Sequence, residues 1–367
     1  MISQDYNIIV KDSLNFLHSL GKPSKTSFYP ALNGLTNIGK SLNLGFACYG
    51  LKIFKMTGEW DRMNNEEKKY FLDYLKSFQI NHKEFPKNYF IDKKLLLGYK
   101  QIFSIENGKF LVKNILNKIT DSNYVDKKTR LKEAINADNK QAISTLYELG
   151  SSNELKIENT FKSNEDVYSY ISSLNWTKPW SAGAQFSSLC VYSKTQNFGF
   201  EDTLIKFLDS KLNYETGSYH ESSLSDKREI INGAMKVISG LDWINHPIHL
   251  PNRLIDFCLD NTPHIEGCDI VDFIYVLYMC SKQSVYRKKE IDNLFEDLLK
   301  QIMKLYIEDE KGFSYYNNKS QTHYYGLKIT NGLKSADIHG TVLCIWAINM
   351  VLNHLEKLDD DMKVIKP

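Results

Sequence analysis

The stretch 267–280 reads Gly-Cys-Asp-Ile-Val-Asp-Phe-Ile-Tyr-Val-Leu-Tyr-Met-Cys, and it is apolar around nearly the whole circumference of a helix. A helix without a polar face must be buried, because it has no surface to present to water. Five further segments share this character, and they cover residues 36–56, 131–149, 179–192, 226–239 and 336–354. The pattern therefore predicts six buried helices.

Each apolar segment has a more amphipathic neighbour along the chain. In 64–79, for example, aromatic residues and Leu75 share one helix face, and charged residues occupy the other. Comparable segments cover 109–119, 165–174, 200–212, 250–259 and 288–306. Six such pairs predict an all-α fold, an (α/α)6 toroid or barrel of about six helical hairpins, because six hairpins close a ring without end caps. An open solenoid and an irregular bundle are the alternatives.

Glycines predict where several of the apolar helices end. An apolar run is followed by a glycine at Gly58, Gly150 and Gly240. Glycine often ends a helix, because it readily adopts the left-handed backbone conformation found there. Two long gaps between the helical segments, 80–108 and 307–335, predict loops that cover one face of the protein.

Composition and charge set further limits. The 367 residues are 42% apolar and 25% charged, which is typical of a globular chain, and no Pro/Ser-rich linker divides them. One domain is therefore expected over 1–367. The 46 basic residues balance the 44 acidic ones, which argues against a nucleic-acid partner. Polar residues interrupt every apolar run before it reaches the length of a membrane span, and the start lacks a signal-peptide pattern, so a cytoplasmic location is expected.

The six cysteines form no CxxC pair, and most lie in apolar helical runs, so they are expected to be reduced core residues. No Cys and His cluster has the spacing of a zinc site. No phosphate loop or dinucleotide fingerprint occurs either. The sequence predicts no metal and no cofactor, and it leaves the oligomeric state open.

Two stretches between 260 and 355 prompt a family comparison. Asp269-Ile-Val-Asp272 opens one apolar helix, and Asp309-Glu-Lys-Gly312-Phe313 and Asp337-Ile-His339 precede and open another. This order resembles the repeats of the terpenoid cyclase and protein prenyltransferase toroid, which implies the same fold. The chain departs from the Asp-x-Asp-Asp motif of the protonating cyclases and lacks the Asp-x-Cys of the prenyltransferase zinc site. One-domain barrels of this size also resemble unsaturated glucuronyl hydrolases and other carbohydrate-active enzymes.

The inner helices of a toroid begin on one face, so the residues at their starts are the candidates for a site. The densest group lies at 264–272, where His264, Glu266, Asp269 and Asp272 fall within nine residues. Carboxylates held close together in a cavity acquire different pKa values, which provides one acid and one base. Helix capping explains one of these acids but not the whole group.

Three more helix starts carry chemistry-bearing residues. Aromatic or acidic side chains that can hold a substrate are Trp176, Trp180, Tyr219, Glu221, His323, Tyr324 and Tyr325. Groups that can move protons are His220, Asp337 and His339. Each has a structural alternative, namely packing between hairpins, capping of a helix, or a place in a solvated loop. Arg130 and Arg228 stand near helix starts and are candidates for binding an anionic substrate.

These residues predict a carbohydrate-active enzyme that uses carboxylate and His acid–base chemistry on an oligosaccharide or a uronate-containing glycan in an aromatic-lined cavity. An isoprenoid-handling enzyme of the cyclase type is the second hypothesis. A binding protein without catalysis on the same scaffold is the third. The four helix starts are expected to meet on one face.

Overall fold

The computed structural model describes residues 5–105, 127–221 and 226–367. The chain is mostly helical, in agreement with the predicted all-α class. The helices are α1 (Tyr6–Ser19), α2 (Asn37–Ser41), α3 (Leu44–Met56), α4 (Glu59–Arg62), α5 (Asn65–Lys76), α6 (Lys93–Ile105), α7 (Lys127–Glu148), α8 (Asn164–Ser173), α9 (Pro179–Gln196), α10 (Glu201–Asp209), α11 (Lys227–Trp243), α12 (Pro251–Leu259), α13 (Cys268–Ser281), α14 (Lys288–Ile302) and α15 (Ile338–His354).

A 3₁₀ helix (Met303–Leu305) and three short antiparallel hairpins also occur in the described chain. The hairpins are β1 (Gln79–Ile80) with β2 (Tyr89–Phe90), β3 (Tyr306–Ile307) with β4 (Gly312–Phe313), and β5 (His323–Tyr324) with β6 (Leu327–Lys328). None of the helices in these parts of the chain is long and apolar enough to cross a bilayer.

The six apolar segments all contain helices, namely α3, α7, α9, α11, α13 and α15, which we call the inner helices. Five of the amphipathic partners are confirmed as α5, α8, α10, α12 and α14, and the segment 109–119 lies outside the described residues. The gap 80–108 was predicted as a loop, and this prediction is wrong, because α6 fills much of it. Gly98 at the centre of α6 weakens the helix signal, yet it lets Leu327 approach closely.

The inner helices contact one another in a cyclic order. Helix α3 packs against α7, α7 against α9, α9 against α11, α11 against α13, α13 against α15, and α15 returns to α3. The buried apolar residues from Val10 to Ile365 form one connected core around them. The outer helices cover this assembly, with α12 on α13, α14 on α15, and α8 with α10 on α9.

Glycines set the closest of these contacts, between α9 and α11. A Cβ on Gly233 would lie 2.5 Å from the Cβ of Pro179, and one on Gly183 would lie 2.9 Å from the Cβ of Lys236. Gly240 lies in the same contact, against Cys190. The predicted end of the helix at Gly240 is therefore wrong, because α11 continues to Trp243 and the glycine serves close packing instead.

Two segments lie at opposite ends of the inner helices. The backbone of 312–315 packs on Gly340 in the first turn of α15. At the other end, the amide of Lys363 donates to the carbonyl of Met56, the last residue of α3, and the Trp243 indole donates to the Pro367 carbonyl. The final residues of the chain thus cross the carboxyl ends of α3 and α11.

We expect Gly233→Ala to destabilise the protein by about 1–3 kcal/mol, because the added methyl group overlaps Pro179 in a contact that backbone atoms also line. Chemical denaturation of both proteins measures the difference. In an open helical position the same change would stabilise the chain by about 0.4–1 kcal/mol. A gain in stability would therefore contradict the close contact of α9 and α11.

Candidate functional site

A polar cleft of about 410 Å³ opens where α9, α11 and α13 begin. Of the residues predicted from sequence, the cleft brings together Trp180, His264, Glu266 and Asp269, and Arg228 also lines it. An adjoining cleft of about 420 Å³ lies between the starts of α11 and α13 and shares Arg228, His264 and Asp269.

Asp269 lines both clefts, at the place where they adjoin. Its Oδ1 accepts a hydrogen bond of 2.8 Å from the Asn232 amide, and its Oδ2 lies 2.7 Å from Nε of Arg228. The Arg228 side chain remains 61% exposed, so the rest of its guanidinium group faces the clefts. Asp269 therefore orients an arginine that has free N–H donors for a ligand.

Asp272 lies one turn further along α13 and is only 2% exposed. Its Oδ1 is 4.0 Å from the Lys236 ammonium, and its Oδ2 has no hydrogen-bond partner among the described residues. Burial, together with the nearby charge of Asp269, raises the pKa of Asp272 to about 6, although the Lys236 ammonium and the indole N–H of Trp180 partly offset this. A carboxyl group with this pKa can donate or accept a proton near neutral pH.

Two side chains lie close to Asp272, those of Lys236 and Trp180. The Lys236 ammonium lies 5.7 Å from the centre of the Trp180 ring, and Trp180 is 43% exposed at the rim of the cleft. The backbone N–H of Trp180 donates to Glu229 over 3.0 Å, which fixes the first turn of α9 against α11. An exposed indole face beside carboxylates is a suitable stacking surface for a sugar ring or a cation.

His339 lies between two tyrosines on the neighbouring side of the site. Its ring stacks on Tyr49 at 4.7 Å and on Tyr315 at 5.0 Å, and its buried Nδ1 has no hydrogen-bond partner in the described part of the chain. Burial and the charge of Lys236 lower the pKa of His339 to about 3. The imidazole is therefore neutral in the folded protein and serves as an acceptor rather than a cation. The Tyr315 hydroxyl lies 3.2 Å from Sγ of Cys268, next to the acids of α13.

Asp337 differs sharply from Asp272, although both are buried acids near the start of an apolar inner helix. It is the N-cap of α15, and its Oδ1 accepts a bond of 2.8 Å from the Gly340 amide. Its Oδ2 accepts from the amides of Tyr315 and Gln321 at 2.7 and 3.0 Å. Burial raises the pKa of Asp337 to about 6 even though these N–H donors lower it. Both oxygens hold backbone in place, so the arrangement is that of a structural carboxylate.

Trp176 and Tyr219 lie within the packing between hairpins. Trp176 is 1% exposed, and its indole N–H donates to the carbonyl of Ile171. Tyr219 is fully buried, and its hydroxyl lies 2.9 Å from Nδ1 of His249. Neither side chain lines the two clefts.

His220 and Glu221 are also engaged in local contacts. The two ring nitrogens of His220 lie 2.8 Å from the Glu221 carbonyl and 3.1 Å from the Thr216 hydroxyl. The Glu221 carboxylate pairs with Lys211 at 2.5 Å. The structure therefore places the 219–221 group apart from the clefts. Of the 264–272 group, His264, Glu266 and Asp269 line them, whereas Asp272 is buried behind them and lines neither.

The predicted group at 323–325 contacts Asp138, a carboxylate that was not predicted from the sequence. The Tyr324 hydroxyl donates to Asp138 of α7, and Gly45 makes room for it, since a Cβ there would overlap the tyrosine. Burial raises the pKa of Asp138 to about 7. Tyr325 stays 37% exposed, and His323 is exposed. The sequence signal for Asp138 is a carboxylate inside an apolar helical segment, as it is for Asp272.

All six cysteines are free thiols, of which five are buried and Cys268 is half-buried, as the sequence predicted. In the described ranges, no group of three His, Cys, Asp or Glu side chains has the arrangement of a metal site. Comparison with protein families, curated proteins and solved structures finds no match for this chain. Its function must therefore be argued from the site.

We expect Asp337→Asn to destabilise the protein by about 1–3 kcal/mol, because an amide group replaces one of two oxygens that accept backbone N–H donors. Urea unfolding near neutral pH measures this. The exposed Asp297→Asn on α14 is the control and should leave stability within about 0.5 kcal/mol of wild type. If Asp337→Asn were as stable as wild type, Asp337 would not have this structural role.

We expect Asp272→Asn to stabilise the folded protein, in contrast to Asp337→Asn. The folded protein holds the proton of Asp272 more tightly than the unfolded chain, so wild-type stability falls as the pH rises from about 4 to about 6. Asparagine does not titrate, so the variant does not lose this stability. Its free energy of unfolding relative to wild type should rise by up to about 3 kcal/mol across that pH range. Unfolding at several pH values measures the difference, and parallel pH profiles for both proteins would contradict the raised pKa.

Proposed function

We propose that this chain is a carbohydrate-active enzyme that uses acid–base catalysis on an oligosaccharide, with uronate-containing glycans as the preferred class. One observation carries the proposal: the carboxyl group of Asp272 is buried, its Oδ2 has no hydrogen-bond partner at bonding distance among the described residues, and it lies close to Trp180, at the rim of a cleft lined by further carboxylates and an arginine. Such a group is costly to the fold and useful to a reaction that moves protons.

The proposed scaffold is an (α/α)6 toroid. The cyclic order of contacts among the inner helices supports it, because an open solenoid would leave the first and last of them apart. The same face then carries the starts of α9, α11 and α13, where the cleft opens. The absence of a candidate membrane helix in the described residues fits a proposed place of action in the cytoplasm.

Asp272 is the proposed proton-transferring group, and His339 is the proposed hydrogen-bond acceptor of the site. With a pKa of about 6, Asp272 can protonate a leaving oxygen and later accept a proton. The neutral His339 ring, held between Tyr49 and Tyr315, offers a nitrogen that accepts a hydrogen bond. Asp337 supports this pair indirectly, since it fixes the start of α15 and the amide of Tyr315.

Recognition of the sugar is proposed for the rim. The exposed face of Trp180 suits an apolar sugar face, and Glu266 and His264 offer polar contacts to hydroxyl groups. The free donors of Arg228, oriented by Asp269, suit the carboxylate of a uronic acid.

An isoprenoid-handling enzyme is the second candidate, because Tyr49, His339 and Tyr315 form a continuous aromatic stack beside a buried acid. Aromatic faces of this kind stabilise carbocations. The cleft favours sugars over this alternative, since its lining includes several carboxylates and an arginine. A binding protein without catalysis is the third candidate, for which the pKa of Asp272 would have no use.

The test is turnover of a panel of uronate oligosaccharides, neutral oligosaccharides and prenyl diphosphates. We expect activity on uronate oligosaccharides, and we expect Asp272→Asn to lower kcat by about 10²–10⁴-fold. The wild-type pH profile should bend near the pKa of Asp272, at about 6, and the variant should lack this bend.

The control is Asp297→Asn, which removes an exposed carboxylate that pairs with Lys300 on the outer helix α14, and it should match wild type. Turnover of prenyl diphosphates alone would favour the second candidate. An Asp272→Asn variant that matches wild type on every substrate turned over would overturn the assignment of the site.

A further inference from the structure

Three side chains line both clefts and form one connected unit, which we call the shared wall: Arg228, Asn232 and Asp269. Arg228 and Asn232 stand one helical turn apart on α11, so they lie on the same face of the helix. Both bind the Asp269 carboxylate, the arginine at Oδ2 over 2.7 Å and the amide at Oδ1 over 2.8 Å. A ligand held by this wall therefore has space on both sides of it.

Asn232 leaves a hydrogen-bond acceptor unused in this wall. The residue is only 8% exposed, and the bond to Asp269 is the one hydrogen bond of its side chain among the described residues. A carboxylate only accepts hydrogen bonds, so the NH2 group of Asn232 must face Asp269, and Oδ1 is the atom left without a donor. An amide oxygen in a buried side chain is costly to leave without a donor, and a ligand hydroxyl group that donates to it removes this cost.

Two cations occupy the first turn of α11, where the helix dipole favours acids. Lys227 and Arg228 are both exposed and both line the adjoining cleft, the one of about 420 Å³. The acid before them, Asp226, caps the helix by accepting from the amides of Arg228 and Glu229. Lys227 has no carboxylate at ion-pair distance among the described residues. Its ammonium group is therefore available to an anionic ligand.

The rest of the adjoining cleft suits a sugar ring. Ile231, Pro263 and Phe273 give it an apolar side, and Asn261 and Thr262 add polar groups. A pyranose ring has an apolar face and an edge of hydroxyl groups, which matches such a lining. The cleft that contains Trp180 offers the same combination on the other side of the shared wall.

We propose that the adjoining cleft is a second sugar subsite, so that the ligand is a chain of at least two units that crosses the shared wall. One unit lies against Trp180, and the next lies in the adjoining cleft with its carboxylate against Lys227. At the wall, Arg228 donates to the carboxylate of the first unit, and Oδ1 of Asn232 accepts from a hydroxyl group near the linkage. The sugar class rests on the proposed function, whereas the continuity of the two clefts rests on the geometry of the wall.

The experiment is titration calorimetry of the full chain with methyl galacturonide, digalacturonate and trigalacturonate, in the Asp272→Asn background so that the ligands are not consumed. We expect digalacturonate to bind at least about tenfold more tightly than the monosaccharide, because its second unit binds without a second loss of translational freedom. The third unit has no described subsite and should add less than about threefold.

Two variants act on the adjoining cleft alone. Thr262→Trp adds a large side chain at its exposed rim and should remove most of the digalacturonate advantage. Lys227→Met removes the cation proposed for the second carboxylate and should reduce the advantage at least about threefold. Both should keep the affinity for the monosaccharide. The control Lys289→Met removes an exposed lysine in the first turn of α14, which lines neither cleft, and should change none of the affinities.

The outcomes separate this inference from the proposed function. Equal affinity for the mono- and disaccharide, or a full digalacturonate advantage in Thr262→Trp, overturns the second subsite even if wild type turns over uronates. A full advantage in Lys227→Met overturns the position of the second carboxylate. Binding that rises from one unit to two and is lost in Thr262→Trp supports the subsite, even if wild type turns over no sugar and the proposed catalysis fails. Binding of none of the three ligands overturns both.

Discussion

The close contact of α9 with α11 is the constraint on which the site depends. Gly183 and Gly233 let the two helices approach until Pro179 touches the backbone region of Gly233. This approach brings Trp180 of α9 next to Lys236 of α11, and Lys236 next to Asp272 of α13. A larger side chain at either glycine would separate the helices and remove the cover from the acid.

Three buried carboxylates near the starts of α13 and α15 have three different environments. Asp269 is paired with Arg228 and Asn232, Asp337 accepts three backbone N–H bonds, and Asp272 leaves one oxygen without a described partner. Only the last combines burial, a raised pKa and an unused oxygen, which are the properties that an acid–base group needs. Stability is lost at this position, and proteins commonly accept such a loss where function requires it.

The sequence alone determined the six buried helices and most of their partners, because a helix apolar on every face has to be buried wherever the fold places it. It also located the acids at 264–272. Only the tertiary structure decided that one oxygen of Asp272 has no described partner while Asp337 is a cap, that Tyr219 and His220 lie apart from the clefts, and that Asp138 accepts a hydrogen bond from Tyr324. These outcomes depend on which side chains from distant segments come into contact, and local periodicity carries no information about such contacts.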